Sequence, residues 1–231
     1  MAVLICKNIH TEGPGTLEDF LKEKGISYTI VEMSMNNQIP DTKFFDTLVI
    51  LGGPMSVNDY TDYPYIKTEE NLVKEFISQD KRILGICLGS QIIAKALGSK
   101  IYKGAESELG WYDIELTSMG IEDPLIKEFA LMPYISDICQ KFPVFHWHAE
   151  TFDLPENAIR LASSELYINQ AFKYGKKVYG FQFHIEMTKE LIEEWLIETP
   201  DIATKIQTET DELWEIYHIR AKKFYQAFFN L

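Results

Sequence analysis

The sequence predicts an α/β fold, a doubly wound, mixed but mostly parallel sheet flanked by helices. Three observations point there. Short apolar runs alternate with amphipathic stretches up to residue 98, glycines stand where helices should close, and beyond residue 98 closely spaced strand-like pieces take over before the chain turns helical again. Strand followed by helix, repeated, implies parallel strands covered on both faces.

The elements follow in order. "AVLIC" reads as a strand and "TLEDFLKEKG" as a helix that Gly25 closes in a left-handed cap. "YTIVEM" and "TLVILGG" are the second and third strands, and "EENLVKEFISQD" is the helix after them. "RILGIC" is the fourth strand and "SQIIAKALG" its helix, capped by Gly98. The pieces "KIYKG", "GWYDIELT", "FPVFHWH", "AIRLASS", "INQAFKYG" and "KVYGFQFH" read as antiparallel additions and a returning core strand. From "TKELIEEWLIE" onward the chain is helical, and Ile202, Ile206, Leu213, Ile216, Phe224 and Phe228 recur at helical spacing, which makes one face apolar. No repeat or linker divides the chain, so residues 1–198 are expected to form one domain and residues 199–231 a C-terminal helical extension of it.

Composition excludes several classes. The chain has 231 residues, 46% hydrophobic and 25% charged, enough for one globular core. No basic leader and no apolar run of membrane-spanning length occurs, so a cytoplasmic location is expected. With 35 acidic against 22 basic residues, the net charge of -13 would repel phosphate backbones and disfavours nucleic acid as a partner. The three cysteines, Cys6, Cys87 and Cys139, match neither a disulfide framework nor a zinc site, which leaves Cys87 free to react.

The stretch "LGICLGSQIIAKALG" holds Cys87 between Gly85 and Gly89, at the carboxyl end of a parallel strand where ligands collect. A nucleophile in a tight strand-to-helix turn needs small neighbours, because side chains there would strike the flanking strand and helix. The alternative is a small buried residue in an apolar run. A free cysteine titrates near 8.5, and a helix N-terminus offers only about 1 kcal/mol toward thiolate, so a partner is required. It is found in "VYGFQFHIEMT". If residues 178–184 are a strand, His184 and Glu186 share a face, as a general base and its orienting carboxylate should. "LGGPMSVND" runs a strand into Gly-Gly-Pro, and the N–H groups of Gly53 and Leu88 are candidate oxyanion donors, although an ordinary turn reads the same way.

Together "LGGPMSVND", "GICLGSQ", "ELGW" and "GFQFHIE", in this order, resemble the class I (triad) glutamine amidotransferases, most closely the stand-alone branch similar to the glutaminase domain of GMP synthase. The resemblance covers about residues 1–197 and implies a flavodoxin-like fold that hydrolyses the glutamine side-chain amide through a thioester. It makes Cys87 the nucleophile, His184 the base and then acid, Glu186 the orienter, and Gly53 with Leu88 the oxyanion hole. Gly52, Pro54, Gln91 and the backbone around Leu109, Gly110 and Trp111 would contact substrate, with His148 near the site. No cofactor is implied. The family usually has proline where this chain has Ile185, and the helical tail has no counterpart in the resemblance.

Other constellations are weaker. His146 and His148 share a strand face but lack a clear third metal ligand, so no metal is expected. Asp59 and Asp62 stand in a loop that forms either a rim beside the oxyanion strand or plain surface. The expected partners are a small molecule, glutamine or another γ-glutamyl compound, and an ammonia-accepting synthetase on a separate polypeptide; no P-loop is present. Two rivals remain: a self-sufficient γ-glutamyl peptidase or hydrolase, and a noncatalytic regulatory module on the same fold. An α/β-hydrolase is disfavoured because its acid normally precedes the histidine.

Overall fold

The computed structural model describes residues 1–35, 37–132, 137–197 and 199–231. The expected boundary at residue 198 therefore lies outside the described residues. Among them, one sheet of nine strands carries the fold. Its strands are β1 (Ala2–Lys7), β2 (Ser27–Glu32), β3 (Thr47–Ile50), β4 (Arg82–Ile86), β5 (Ile101–Leu116), β6 (Lys141–Phe152), β7 (Ala158–Ser163), β8 (Ala171–Tyr174) and β9 (Val178–Phe181). They lie in the order β2-β1-β3-β4-β9-β8-β7-β5-β6. The five strands from β2 to β9 run parallel to one another, and the remaining pairings are antiparallel. The sheet is mixed, with its parallel part built from the alternating strand and helix segments and the returning strand β9.

Period-two alternation in the parallel strands feeds two cores. Val3, Ile5, Val49, Leu84 and Ile86 face one side, where α1 (Gly15–Lys24), α5 (Pro124–Ala130) and α7 (Pro200–Phe229) cover them. Leu4, Cys6, Leu48, Ile50 and Ile83 face the other, under α2 (Tyr65–Ser78) and α3 (Leu88–Ala96). Gly25 closes α1 with a φ of 63°, and its N–H bonds back to Leu21 and Lys22; Gly98 after α3 has a φ of 94°.

Two strand boundaries differ from the sequence reading. "KIYKG" and "GWYDIELT" belong to one long strand, β5, whose pairing with β6 slips between Lys103 and Glu108. β9 ends at Phe181, so His184 is not part of a continuous strand; it forms an isolated bridge with Phe145. Burial still alternates beyond the strand, because Phe183 and Ile185 insert into the core. Between β5 and β6 the chain also forms the short helix α4 (Ser118–Glu122) ahead of α5. After β9 come α6 (Lys189–Leu196) and the 30-residue α7, whose Phe224, Phe228 and Phe229 are buried. No helix among the described residues is long and apolar enough to cross a membrane.

Candidate active site

Parallel strands place their carboxyl ends on one edge, and the order β1-β3-β4-β9 puts four such ends side by side. The loop after β1 brings Glu12, that after β3 brings Gly52 and Gly53, β4 delivers Cys87, and β9 delivers His184. Ile86 pairs with Phe181, and the Cys87 N–H donates to the Phe181 carbonyl at 2.8 Å. Two residues far apart in the chain thus leave adjacent strands at the same level.

Cys87 has φ 50° and ψ -109°, a conformation that costs a non-glycine residue on the order of 1–3 kcal/mol. The glycines beside it hold it there by steric exclusion. A Cβ on Gly85 would lie 2.5 Å from the Gly89 oxygen and the Ile93 side chain, and one on Gly89 would overlap the Ile50 carbonyl oxygen. The cysteine caps the N-terminus of α3, and Leu88 begins that helix. Its sulfur lies 3.9 Å from the Trp147 carbonyl and accepts from Gln182 Nε2 at 3.8 Å.

His184 is 1% exposed and Glu186 4%. His184 Nδ1 donates to Glu186 Oε1 at 2.7 Å, and the Ile185 N–H donates to Glu186 Oε2 at 2.9 Å. Proline at this position, usual in the family, would have no N–H to give. His184 Nε2 is buried without a hydrogen-bond partner. Burial pushes this imidazole down, but the Glu186 carboxylate and the Cys87 sulfur outweigh it and hold the ring well above the usual histidine range. The backbone of the segment is pinned from far away. The His184 N–H donates to the Phe145 carbonyl at 2.8 Å, Tyr225 donates to the Ile185 carbonyl at 2.8 Å, and the Tyr217 hydroxyl accepts from the Met187 N–H at 3.1 Å. Thr16 N–H donates to the Glu186 carbonyl at 2.8 Å, and a Cβ on Gly15 would overlap that oxygen.

Cys87 opens onto two clefts. The first, of about 470 Å³, is lined by Gly53, Pro54, Leu88, Gln91, Lys103 and Leu109, with Asp59, His148 and Glu150 at its wall. The second, of about 430 Å³, lies on the His184 side. Gly52 packs against Cys87 and His184: a Cβ there would stand 3.2 Å from His184 Cε1 and 3.7 Å from Cys87 Cβ. Gln91 Nε2 is engaged by the Gln182 Oε1 at 3.1 Å and the Glu150 carbonyl at 3.2 Å. The Trp111 side chain and Gly110, whose backbone was expected near substrate, lie against the tail. The Trp111 indole donates to Thr210 Oγ1 at 2.9 Å and packs on Tyr217, and a Cβ on Gly110 would press on Ile206 of α7.

The third partner for His146 and His148 is Glu108. Its Oε2 accepts from His148 Nε2 at 2.9 Å and from Gln170 Nε2 at 2.6 Å and stands 3.2 Å from His146 Nδ1; Oε1 accepts from Ser164 at 2.6 Å. Burial pushes the carboxyl up, yet His146, His148 and Ser164 prevail and hold it well below the usual range. With both oxygens so occupied, the group is built as a hydrogen-bond hub. It fixes His148, whose Nδ1 donates to the Glu150 carbonyl at 3.0 Å at the edge of the first cleft.

Sequence reasoning overlooked Glu12, Lys103, Gln182 and Trp195. Gln182 had a signal, since it is two residues before His184 and shares its side. Glu12 and Trp195 had none, because only the sheet order and the packing of α6 bring them to the cysteine.

Residues 15–199 match the model described as glutamine amidotransferase class-I. The glutamine amidotransferase-like protein YfeJ of Salmonella typhimurium is 38% identical over 157 residues, a match covering 67% of this chain and 62% of that protein. The chain thus spans less than two thirds of that relative's length. The glutamine-hydrolyzing GMP synthase subunit of Methanosphaera stadtmanae is 34% identical over 70% of this chain and 81% of its own. γ-Glutamyl peptidase 5 of Arabidopsis thaliana is 29% identical over 68% of this chain and 61% of its own. The crystal structure of a glutamine amidotransferase from Thermotoga maritima superposes with a TM-score of 0.87 at 30% identity, covering 99% of this chain and 97% of that one. The chain belongs to the class I glutamine amidotransferase family.

Proposed function

We propose that the protein hydrolyses the side-chain amide of glutamine, or a related γ-glutamyl bond, with Cys87 as nucleophile. The observation that carries this reading is Cys87 in its positive-φ turn next to the buried His184–Glu186 pair, with an open cleft on each side. The Cys87 thiol passes its proton to His184 Nε2, the sulfur attacks the γ-carbonyl carbon, and the N–H groups of Gly53 and Leu88 take the charge that develops on oxygen. The carbon–nitrogen bond then breaks as His184 Nε2 gives its proton to the leaving nitrogen. Water, deprotonated by the same nitrogen, attacks the thioester; glutamate leaves and the proton returns to sulfur. Glu186 holds the ring in the required tautomer throughout.

The first cleft suits an amino-acid head group. Lys103 offers a cation for the α-carboxylate, and Asp59 and Glu150 offer oxygens for the α-ammonium. Intact reactive residues argue against a noncatalytic module. Transfer of the ammonia to a separate synthetase is favoured by the likeness to a glutamine-hydrolyzing GMP synthase component, and autonomous hydrolysis by the likeness to a γ-glutamyl peptidase.

The test is glutamine hydrolysis by the wild type and by Cys87→Ala, with intact-mass measurement after exposure to an electrophilic glutamine analogue. Hydrolysis and a single adduct in the wild type, both lost in a folded Cys87→Ala, are the expected results. Full activity in the variant would refute the assignment. Adding a candidate synthetase separates the two versions: a rate raised by the partner marks an ammonia-donating amidotransferase.

A further inference from the structure

The second cleft is larger than ammonia needs. It is lined by Ile9, Thr11, Glu12, Trp147, His184, Glu194, Trp195 and Thr199 together with the Gly53, Pro54 and Cys87 wall, and encloses about 430 Å³. One molecule of water in the liquid takes about 30 Å³, and ammonia is of similar size. His184 lines this cleft and not the first. Since the leaving nitrogen takes its proton from His184, the departing group exits here.

The lining has a definite chemistry. Two carboxyl groups, Glu12 and Glu194, and two indoles, Trp147 and Trp195, face it; the indoles stand 5.8 Å apart, and Trp195 meets the His184 ring edge-on at 5.2 Å. No lysine or arginine lines it among the described residues. Glu12 Oε2 lies 2.9 Å from the point where a Gly52 Cβ would be, a point 3.2 Å from His184 Cε1. Among the described residues, Glu12 has no ion pair with a lysine or arginine. Buried without a partner, His184 Nε2 lines the cleft, as does Thr199, whose Oγ1 is also unpartnered. Burial raises the Glu12 carboxyl to about 7 against the opposing pull of His184, so an ammonium seated beside it favours its ionised form. Carboxylates and indole faces together bind alkylammonium ions, by charge and by attraction to the ring quadrupole.

We propose that this cleft is a leaving-group subsite for a cationic amine, so that the substrates include γ-glutamyl amides of diamines, with Glu12 and Glu194 setting the preference for positive charge. The proposal rests on the γ-glutamyl hydrolysis argued above and names its substrate class. The balance of the step is unchanged: the amide carbon–nitrogen bond breaks, the released amine takes the His184 proton, and water supplies the oxygen of the new carboxylate. The net charge of -13 adds a general attraction for a cationic substrate.

The experiment uses the whole chain and four probes: glutamine and the γ-glutamyl amides of 1,4-diaminobutane, butylamine and 4-aminobutanoate. The last three share a four-carbon amine and end in an ammonium, a methyl or a carboxylate. The expected kcat/KM order is cationic, neutral, anionic, with the cationic amide favoured over the neutral one by about tenfold, equivalent to 1.4 kcal/mol. Glu12→Gln and Glu194→Gln should each pull that ratio toward one. Glu194 is exposed on α6, so its variant tests the idea even where Glu12→Gln fails to fold. A ratio near one, or preference for the anionic amide, overturns the subsite while glutamine hydrolysis stands. Absence of hydrolysis of all four overturns the reading beneath it as well.

Discussion

The cysteine side and the histidine side of the candidate site are held in place by different physics. Cys87 is fixed by residues within a few positions of it: Gly85, Gly89 and the first turn of α3 leave the backbone one turn it can make. The exception is the Ile50 carbonyl, which crowds Gly89 from the next strand. His184 and Glu186 lie beyond the end of β9, in a segment fixed by hydrogen bonds with Thr16, Phe145, Tyr217 and Tyr225, all distant in sequence. Steric exclusion is local and absolute. Hydrogen-bond bracing is distributed, and each bond of it is worth about 1 kcal/mol.

That contrast implies a graded set of outcomes. Gly89→Ala should have the largest effect: the Ile50 carbonyl cannot yield without moving β3, so overpacking of about 1–3 kcal/mol or more and a loss of activity of at least about 100-fold are expected. Denaturant unfolding and hydrolysis rates read both, and near-normal activity would break the steric account. Ile185→Pro comes next. It removes the N–H that holds Glu186 Oε2, a bond to a charged group worth about 1.5–3 kcal/mol, and kcat/KM should fall about tenfold. An undiminished rate would show that the carboxylate is held well enough by His184 alone.

Tyr225→Phe should act more weakly. It leaves the Ile185 carbonyl and the Thr16 hydroxyl short of a partner, for about 1 kcal/mol in stability and a several-fold drop in kcat. If stability falls and kcat does not, the tail braces the fold without positioning the histidine. The smallest effect is expected at Glu69, on the cysteine side. Burial raises its carboxyl well above the usual value, and Asn8 beside it donates to the Leu51 carbonyl at 3.0 Å, next to the Gly52–Gly53 turn. A raised acid stabilises the fold fully below its unfolded value, and that contribution is lost as pH rises through the folded value. Glu69→Gln should therefore flatten the decline in Tm as pH rises above the ordinary carboxyl range. An unchanged slope would mean that Glu69 is ionised in the folded chain.

How much could be read in the one-dimensional chain follows the same division. The parallel strands were legible because period-two burial and the intervening helices repeat, and Cys87 was legible because its constraint lies within a few residues. The end of β9 was not, since Phe183 and Ile185 keep alternating after the sheet pairing stops. The backbone around Leu109, Gly110 and Trp111 was expected beside substrate; that the Trp111 ring packs on Thr210 and Tyr217 and that Gly110 lies against Ile206 was not legible. A motif names neighbours along the chain and is silent about a helix that returns much later in the sequence.

The amino-acid order by itself determined the strand and helix alternation, the strained turn at Cys87 and the pairing of an imidazole with a carboxylate two residues on. Each depends on sterics or periodicity within one short segment. Only the tertiary structure decided that β9 lies against β4, that Glu12 and Trp195 share a cleft with His184, and that α7 anchors the histidine segment. Those outcomes depend on which surfaces bury one another, and burial is a property of the assembled chain.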